Sequence, residues 1–295
     1  MHLPLVTILT FLPALGALLL LLVPKESGGE AERAGQTART VALGVSGLTL
    51  LLAIGLWLGF QPGRPGAPHA FQFEDRAAWM SGFGVSYHVG LDGISLLLVV
   101  LTALVTPVAI LASYGAKGTI GLRPRDYMIA VLLLESTIIG LYSALDFVLF
   151  YVFYEATLIP ASLLIGIWGG QKRTGAAIKF FLFTFGSSLF MLLSILAMWR
   201  LAGTTDVPTL LRTRFAPEIQ FWMFLGLAFA FGVKLPLFPL HGWLPDTYTE
   251  APSSTTAIMS AVLGKAGGYG LLRFAIAMLP DAAHRLAPLL LWLGI

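Results

Sequence analysis

Glu135, Glu155, Lys179, Lys234 and Lys265 are ionisable residues set inside long apolar runs, and His241 lies just beyond a pair of prolines at the end of one such run. A charge at the centre of a membrane helix costs about 2.5–3.5 kcal/mol on insertion scales and is normally kept for a pathway or a partner. Both signs are present, so pairing can offset the cost of burial. The chemistry open to such a set is the binding, passing and release of protons or ions.

The local context of each residue sharpens this reading. Tyr151 at i−4 and Ser162 at i+7 share a helical face with Glu155, and Pro160 frees the carbonyl of Ala156 one turn back. That pattern predicts a hydrated spot; the competing reading is a salt bridge from Glu155 to a lysine that only fixes packing. Lys234 is followed by Leu235, Pro236, Leu237, Phe238 and Pro239, and two prolines three apart cannot both continue a helix. The run should therefore break between Lys234 and Pro239, and broken helices at membrane depth mark ion sites in transporters. His241 suits a proton relay, because its ordinary pKa lies near neutrality, and equally suits a loop-side hydrogen bond. Lys265 stands among Gly264, Gly267, Gly268 and Gly270 and heads a ridge with Tyr269 and Arg273 that runs about 12 Å toward one surface. Lys179 sits about one turn inside its run, where relay and snorkelling to the headgroups are both open. Glu135 is at the middle of its run.

The elements that must position these residues are membrane helices. The 295 residues are 57% hydrophobic and 11% charged, with a mean hydropathy of +0.84, which excludes a soluble domain. Eight runs have the length that spans a bilayer: 3–23, 40–60, 91–114, 127–144, 145–168, 176–201, 219–243 and 253–279. A ninth begins near Leu286 and is cut at Ile295. The first run has no Lys or Arg before it and is too long for a signal peptide, so it reads as a membrane helix. Pro62, Gly63, Pro65, Gly66 and Pro68 mark a loop, and the near absence of a polar spacer around Ser143 to Asp146 requires an antiparallel pair there. The expected fold is all-α: a polytopic transmembrane bundle with a discontinuous seventh span. Its expected divisions are 1–90, two helices and a loop; 91–279, the translocating bundle; and 280–295, the start of a further helix.

Lys25, Arg33, Arg39, Lys117, Arg123, Arg125, Lys172 and Arg173 on one side nearly balance Arg64, Arg76, Arg200, Arg212, Arg214, Arg273 and Arg285 on the other, with the short loops favouring an outside N-terminus. A net charge of +3 spread this thinly does not suggest a nucleic-acid surface. No cysteine is present, so thiolate zinc sites and ordinary iron–sulfur clusters are excluded. No Gly-rich nucleotide motif occurs, and no histidine pair suits a membrane haem. The expectation is a membrane component with no cofactor of its own.

The strings FYEATLIPASLLIGIWGG (Phe153 to Gly170), AIKFFLFTFGS (Ala177 to Ser187) and VKLPLFPLHGWLPDTYTEAPSSTTAIMSAVLGKAGGYGLLRF (Val233 to Phe274) resemble the antiporter-like subunits of respiratory complex I, an NADH:quinone oxidoreductase. The FYEATLIP run points to the chain M group, the counterpart of mitochondrial subunit four, and LDGIS at Leu91 to Ser95 agrees. The resemblance implies a central ion pair of Glu155 with Lys234, a proton-passing Lys265, a matching Lys179 and a less securely matched Glu135. It implies a multi-pass subunit of a bacterial inner (plasma) membrane complex, with NADH, FMN, iron–sulfur clusters and quinone on partner subunits. It also implies a second, inverted repeat of helices, so the sequence is expected to be a fragment, or an incomplete gene product, that holds the first half of that architecture. A subunit of a multi-chain cation/proton antiporter or of a membrane-bound hydrogenase is the alternative.

Overall fold

In lipid a backbone must satisfy its own polar groups, and runs rich in Leu, Ile, Val, Phe and Ala do so as helices. The computed structural model of the chain describes residues 3–23, 31–63, 71–114, 120 and 123–294; Lys25, Lys117, Arg64 and the rest of the 64–70 stretch of the Pro/Gly-rich loop lie outside them. The order is α1 (Leu5–Leu20), α2 (Ala31–Gly59), β1 (Gln72–Met80), β2 (Val85–Leu91), α3 (Gly93–Ser113), α4 (Pro124–Ser143), α5 (Phe147–Ala156) and α6 (Leu158–Trp168). There follow α7 (Arg173–Ala202), α8 (Val207–Leu210), α9 (Pro217–Lys234), α10 (Leu244–Glu250), α11 (Ser253–Ile258), α12 (Lys265–Gly270) and α13 (Pro280–Gly294). Two π-helical turns, Met259–Leu263 and Leu271–Ile276, flank α12.

Among the described residues, five helical stretches are long and apolar enough to cross a membrane: Glu32–Gly59, Gly93–Ser113, Pro124–Ser143, Phe147–Trp168 and Arg173–Ala202; Leu5–Leu20 is a shorter apolar helix. The chain is thus a membrane helix bundle, and its seventh and eighth expected spans are built from pieces. At its centre lies α4, whose span is 78% buried and which packs against α1, α2, α3, α5 and α6. A second layer pairs α7 with α6 and α9, and α12 lies against α9. The element boundaries differ from expectation at two places. The α2 helix begins at Ala31 rather than Thr40, because the polar lead-in is made of good helix formers. The last helix starts at Pro280 rather than Leu286, with proline in the first turn, where its missing N–H is harmless.

The stretch between α2 and α3, expected as a loop, contains an antiparallel hairpin in which Arg76 faces His88 and Ala77 faces Tyr87. Gly84, at φ +67°, makes the turn that a side chain would strain. The hairpin is stitched to the bundle: Val89 bridges Ala144, and the Leu145 N–H donates to His88 O at 2.8 Å. Asp146 completes the seam. Its carboxylate accepts from Val148 N and Leu149 N, capping α5, and from Ser86 N and Thr205 Oγ1.

The eighth span is held by tyrosines and one ion pair. Tyr127 Oη bonds Ser254 and Thr255 at the start of α11, and Tyr142 Oη donates to Val262 O at 2.6 Å in the first π-turn. Tyr269 Oη donates to Tyr142 O, and Arg273 pairs with Asp92, the N-cap of α3. A side chain at Gly267 would stand 2.5 Å from Leu235 N and Phe231 O, so glycine there lets α12 reach the end of α9.

Candidate functional site

The α9 helix ends at Lys234, as its prolines require. Pro236 has no N–H for Gly232 O, so the Leu237 N–H serves it at 2.9 Å. Val233 O then loses its ordinary donor, and the Trp243 indole N–H fills the gap at 2.8 Å. The chain runs through turns to α10, which starts at Leu244. Lys234 is therefore the last residue of a helix that stops inside the protein, at the negative end of its dipole. Its side chain is only 1% exposed, and Nζ has no hydrogen-bond partner among the described residues. What surrounds it is aromatic: Nζ stands 5.0 Å from the Tyr154 ring centroid and 5.5 Å from that of Phe180.

Glu155, on α5, is the carboxylate that acts electrostatically on Lys234. The direct ion pair that the resemblance implies is not formed here: Lys234 Nζ and Glu155 Oε1 are both buried without a hydrogen-bond partner. The span expected over 145–168 is interrupted at Thr157, one turn before Pro160, with α5 ending at Ala156 and α6 beginning at Leu158. Tyr151 keeps its place beside Glu155, whereas the Ser162 hydroxyl turns to its own backbone at Leu158 O, 2.6 Å away. Ser188, from α7, takes the expected place of Ser162 and lies against both Glu155 and Tyr151. Its contribution is hidden from the sequence because no spacing links α7 to α5.

Lys179 neither stands alone nor is deeply buried. Its Nζ pairs at 2.7 Å with Asp246 of α10, both side chains being about half exposed at 41% and 54%. The partner lies in the HGWLPD string, just past the break, so α7 is tied to the segment that carries it. His241 lies in the turns between α9 and α10, its ring 5.7 Å from Phe238 and its Nδ1 buried without a partner. Glu135 is 1% exposed on α4, and among the described residues neither carboxylate oxygen has a hydrogen-bond partner.

Lys265 departs most from expectation. It is exposed on the surface of the bundle, where Nζ donates to Ser260 O at 2.7 Å, closing the π-turn over itself. It lines a groove of about 620 Å³ together with Ile94, Leu97, Leu235, Pro236 and Tyr269. The ridge expected to join it to Arg273 splits here. Tyr269 and Arg273 are buried, and Arg273 is clamped to Asp92 and stacked on the Tyr269 ring at 5.3 Å. Lys265 and Tyr269 both lie on regular α12 between the π-turns, so the split arises in the side chains: Lys265 Nζ folds back to Ser260 O, while Tyr269 and Arg273 turn inward to Tyr142 and Asp92.

A bundle with a helix broken beside a buried, unpartnered lysine, and a carboxylate facing it from the next layer, defines an antiporter-like membrane subunit. The chain belongs to the NADH:quinone oxidoreductase/Mrp antiporter transmembrane family, whose model matches residues 144–295. Residues 73–141 match the amino terminus of NADH-ubiquinone oxidoreductase chain 4. Over 95% of its length the chain is 42% identical to NADH-quinone oxidoreductase subunit M of Rhodobacter capsulatus, covering 55% of that protein. It is 36% identical, over 97% of its length, to NADH-ubiquinone oxidoreductase chain 4 of Marchantia polymorpha, again covering 55%. A chain of respiratory complex I from Thermus thermophilus with bound NADH superposes with a TM-score of 0.83 at 34% identity, covering 98% of this chain and 56% of that one. The chain thus spans about half the length of the relatives it matches.

Proposed function

We propose that this chain is a proton-translocating part of an NADH:quinone oxidoreductase in a bacterial inner membrane, acting beside other membrane subunits. The observation that carries the reading is Lys234: a buried cation site at a helix break, lacking a hydrogen-bond partner, with Glu155 as its electrostatic counterpart. Charge on one stabilises charge on the other, so a proton arriving at or leaving either residue changes the state of both. In this reading Lys179 with Asp246 lies on one flank of the break and Lys265 on the other, while His241 and Glu135 offer further proton-holding atoms. NADH, FMN, iron–sulfur clusters and quinone belong to partner subunits, and this chain supplies only the proton route. The match of residues 73–141 to chain 4 favours this reading over a cation/proton antiporter or a membrane-bound hydrogenase.

Glu155→Gln in the assembled complex tests it. Assembly and NADH oxidation by artificial acceptors should stay intact, while coupled quinone reduction and proton pumping fall. Unchanged pumping would leave Glu155 a packing residue and remove the proposal's main support.

A further inference from the structure

His88 lies outside the buried lysine and glutamate row, on β2 at the hairpin end of the bundle, and is only 3% exposed. Its Nδ1 is 2.9 Å from Asp206 Oδ1, in the link between α7 and α8, and its Nε2 is 2.8 Å from Glu74 Oε2 on β1. A neutral imidazole has one N–H and one lone pair, so between two carboxylates it would point that lone pair at an anion. Only the doubly protonated ring donates on both sides.

The neighbours keep both acids in the accepting form. Asp206 Oδ2 already accepts from Thr209 N and Thr209 Oγ1, and Arg76 reaches Oδ1 from the solvent side at 3.5 Å. Glu74 is 45% exposed, so water solvates its charge. The other ionisable groups on the elements packed against β2 are engaged elsewhere or distant. Asp75 accepts from Thr7, Asp92 holds Arg273, Asp146 accepts from Ser86 and Thr205, and Asp126 pairs with Arg125. Glu135 lies about 13 Å along α4 from the Val89–Ala144 bridge, and Glu155 about 13 Å along α5 from Asp146, at 1.5 Å per residue. The α1 helix carries no ionisable residue.

We propose that His88 is a proton-binding site distinct from the Glu155 and Lys234 centre, an imidazolium that fastens the β-hairpin to the α7–α8 link. Burial opposes charge on the ring, but hydrogen bonds to Asp206 and Glu74 outweigh it and raise the His88 pKa above the ordinary 6.5. A raised value means that the fastening is fully present below about 6.5 and is lost as pH rises through the native value. The hairpin end of this membrane protein therefore loosens with alkalinity.

The test uses the full chain in lipid nanodiscs with ring-¹⁵N histidine, the His88 signals being those that vanish in His88→Gln. The second ring proton of His88 should leave only above pH 6.5, and Glu74→Gln should lower the pH at which it leaves. Hydrogen exchange of the hairpin amides, corrected for intrinsic rate, should show opening that rises with alkalinity in the parent chain. In Glu74→Gln the rise should begin at lower pH, and a tenfold rise corresponds to about 1.4 kcal/mol. A ring already neutral at pH 6.5, or hairpin opening with no pH dependence above 6.5, would overturn the proposal. Glu74→Gln alters a half-exposed side chain, so the exchange arm stands even where His88→Gln does not fold.

Discussion

Asp146 and Lys234 are almost equally buried, at 0% and 1% exposure, yet Asp146 accepts four hydrogen bonds while Lys234 Nζ makes none. The hairpin end is built from acids whose acceptors are filled by backbone amides, hydroxyls and one imidazole. In the bundle interior and at the break, Glu135, Glu155, Lys234 and His241 all keep buried polar atoms with no partner among the described residues. A filled acceptor set resists change, because any loss exposes a desolvated group. A buried ionisable atom without a fixed partner is costly to keep, and a proton or a water can change its state without dismantling a hydrogen-bond network. The difference separates a scaffold from a centre that can switch.

Lys234→Met should break the comparison most sharply. Methionine fills a similar volume without a charge, so thermal stability in detergent should stay level or rise, while proton translocation by the assembled complex falls at least about tenfold. A stability loss with translocation retained would make Lys234 part of the scaffold. Asp146→Ala should do the reverse at the other end. It removes the α5 cap and orphans buried donors, costing roughly 2–4 kcal/mol. A loss under about 1 kcal/mol, seen in chemical unfolding, would show that the hairpin seam does not depend on its filled acceptors. Between the two regions, Gly267→Ala would place a methyl against Leu235 N and Phe231 O. We expect a cost of about 1–3 kcal/mol from overpacking, together with weaker translocation, because the break and α12 must part. Wild-type stability and translocation would mean that this close approach is not needed.

The break at Lys234 is legible in the sequence because proline acts locally: two missing donors stop a helix whatever surrounds it. The carbonyl that Pro160 frees at Ala156 is legible for the same reason, although the interruption at Thr157 is not. The hairpin is not, since QFEDRAAWM has little period-two alternation and few β-branched residues, and its pairing is held by Asp146 and Ala144 from far along the chain. Helical spacing sets Lys265 on one ridge with Tyr269 and Arg273, but it does not show that Lys265 Nζ folds back to Ser260 O while the other two turn inward to Tyr142 and Asp92. The π-turns at Met259–Leu263 and Leu271–Ile276 follow from tertiary bonds such as Tyr142 to Val262, which no local pattern announces. Asp246 and Ser188 escape a sequence reading because their partners sit on other helices, although Asp246 belongs to the same HGWLPD string as His241.

Asp206 gives the smallest effect, and the one that divides the hairpin end most finely. Burial pushes its carboxyl up, but hydrogen bonds from His88 and Thr209 and the charges of His88 and Arg76 more than reverse this, leaving a pKa of about 2 against the ordinary 3.8. A lowered value means that the contribution is fully present above 3.8 and fades as pH falls through about 2. Hairpin amide exchange should therefore quicken across that acid window in the parent chain and lose that increment in Asp206→Asn. Salt should separate the two cations. Arg76 is 60% exposed and is screened over roughly 10 Å at 0.1 M ionic strength, whereas His88 is enclosed at 3%. Raising the salt should then leave most of the acid-window step in place. A step that salt abolishes would place the hold on Asp206 at the surface with Arg76, and the hairpin would be fastened from outside the bundle rather than from within it.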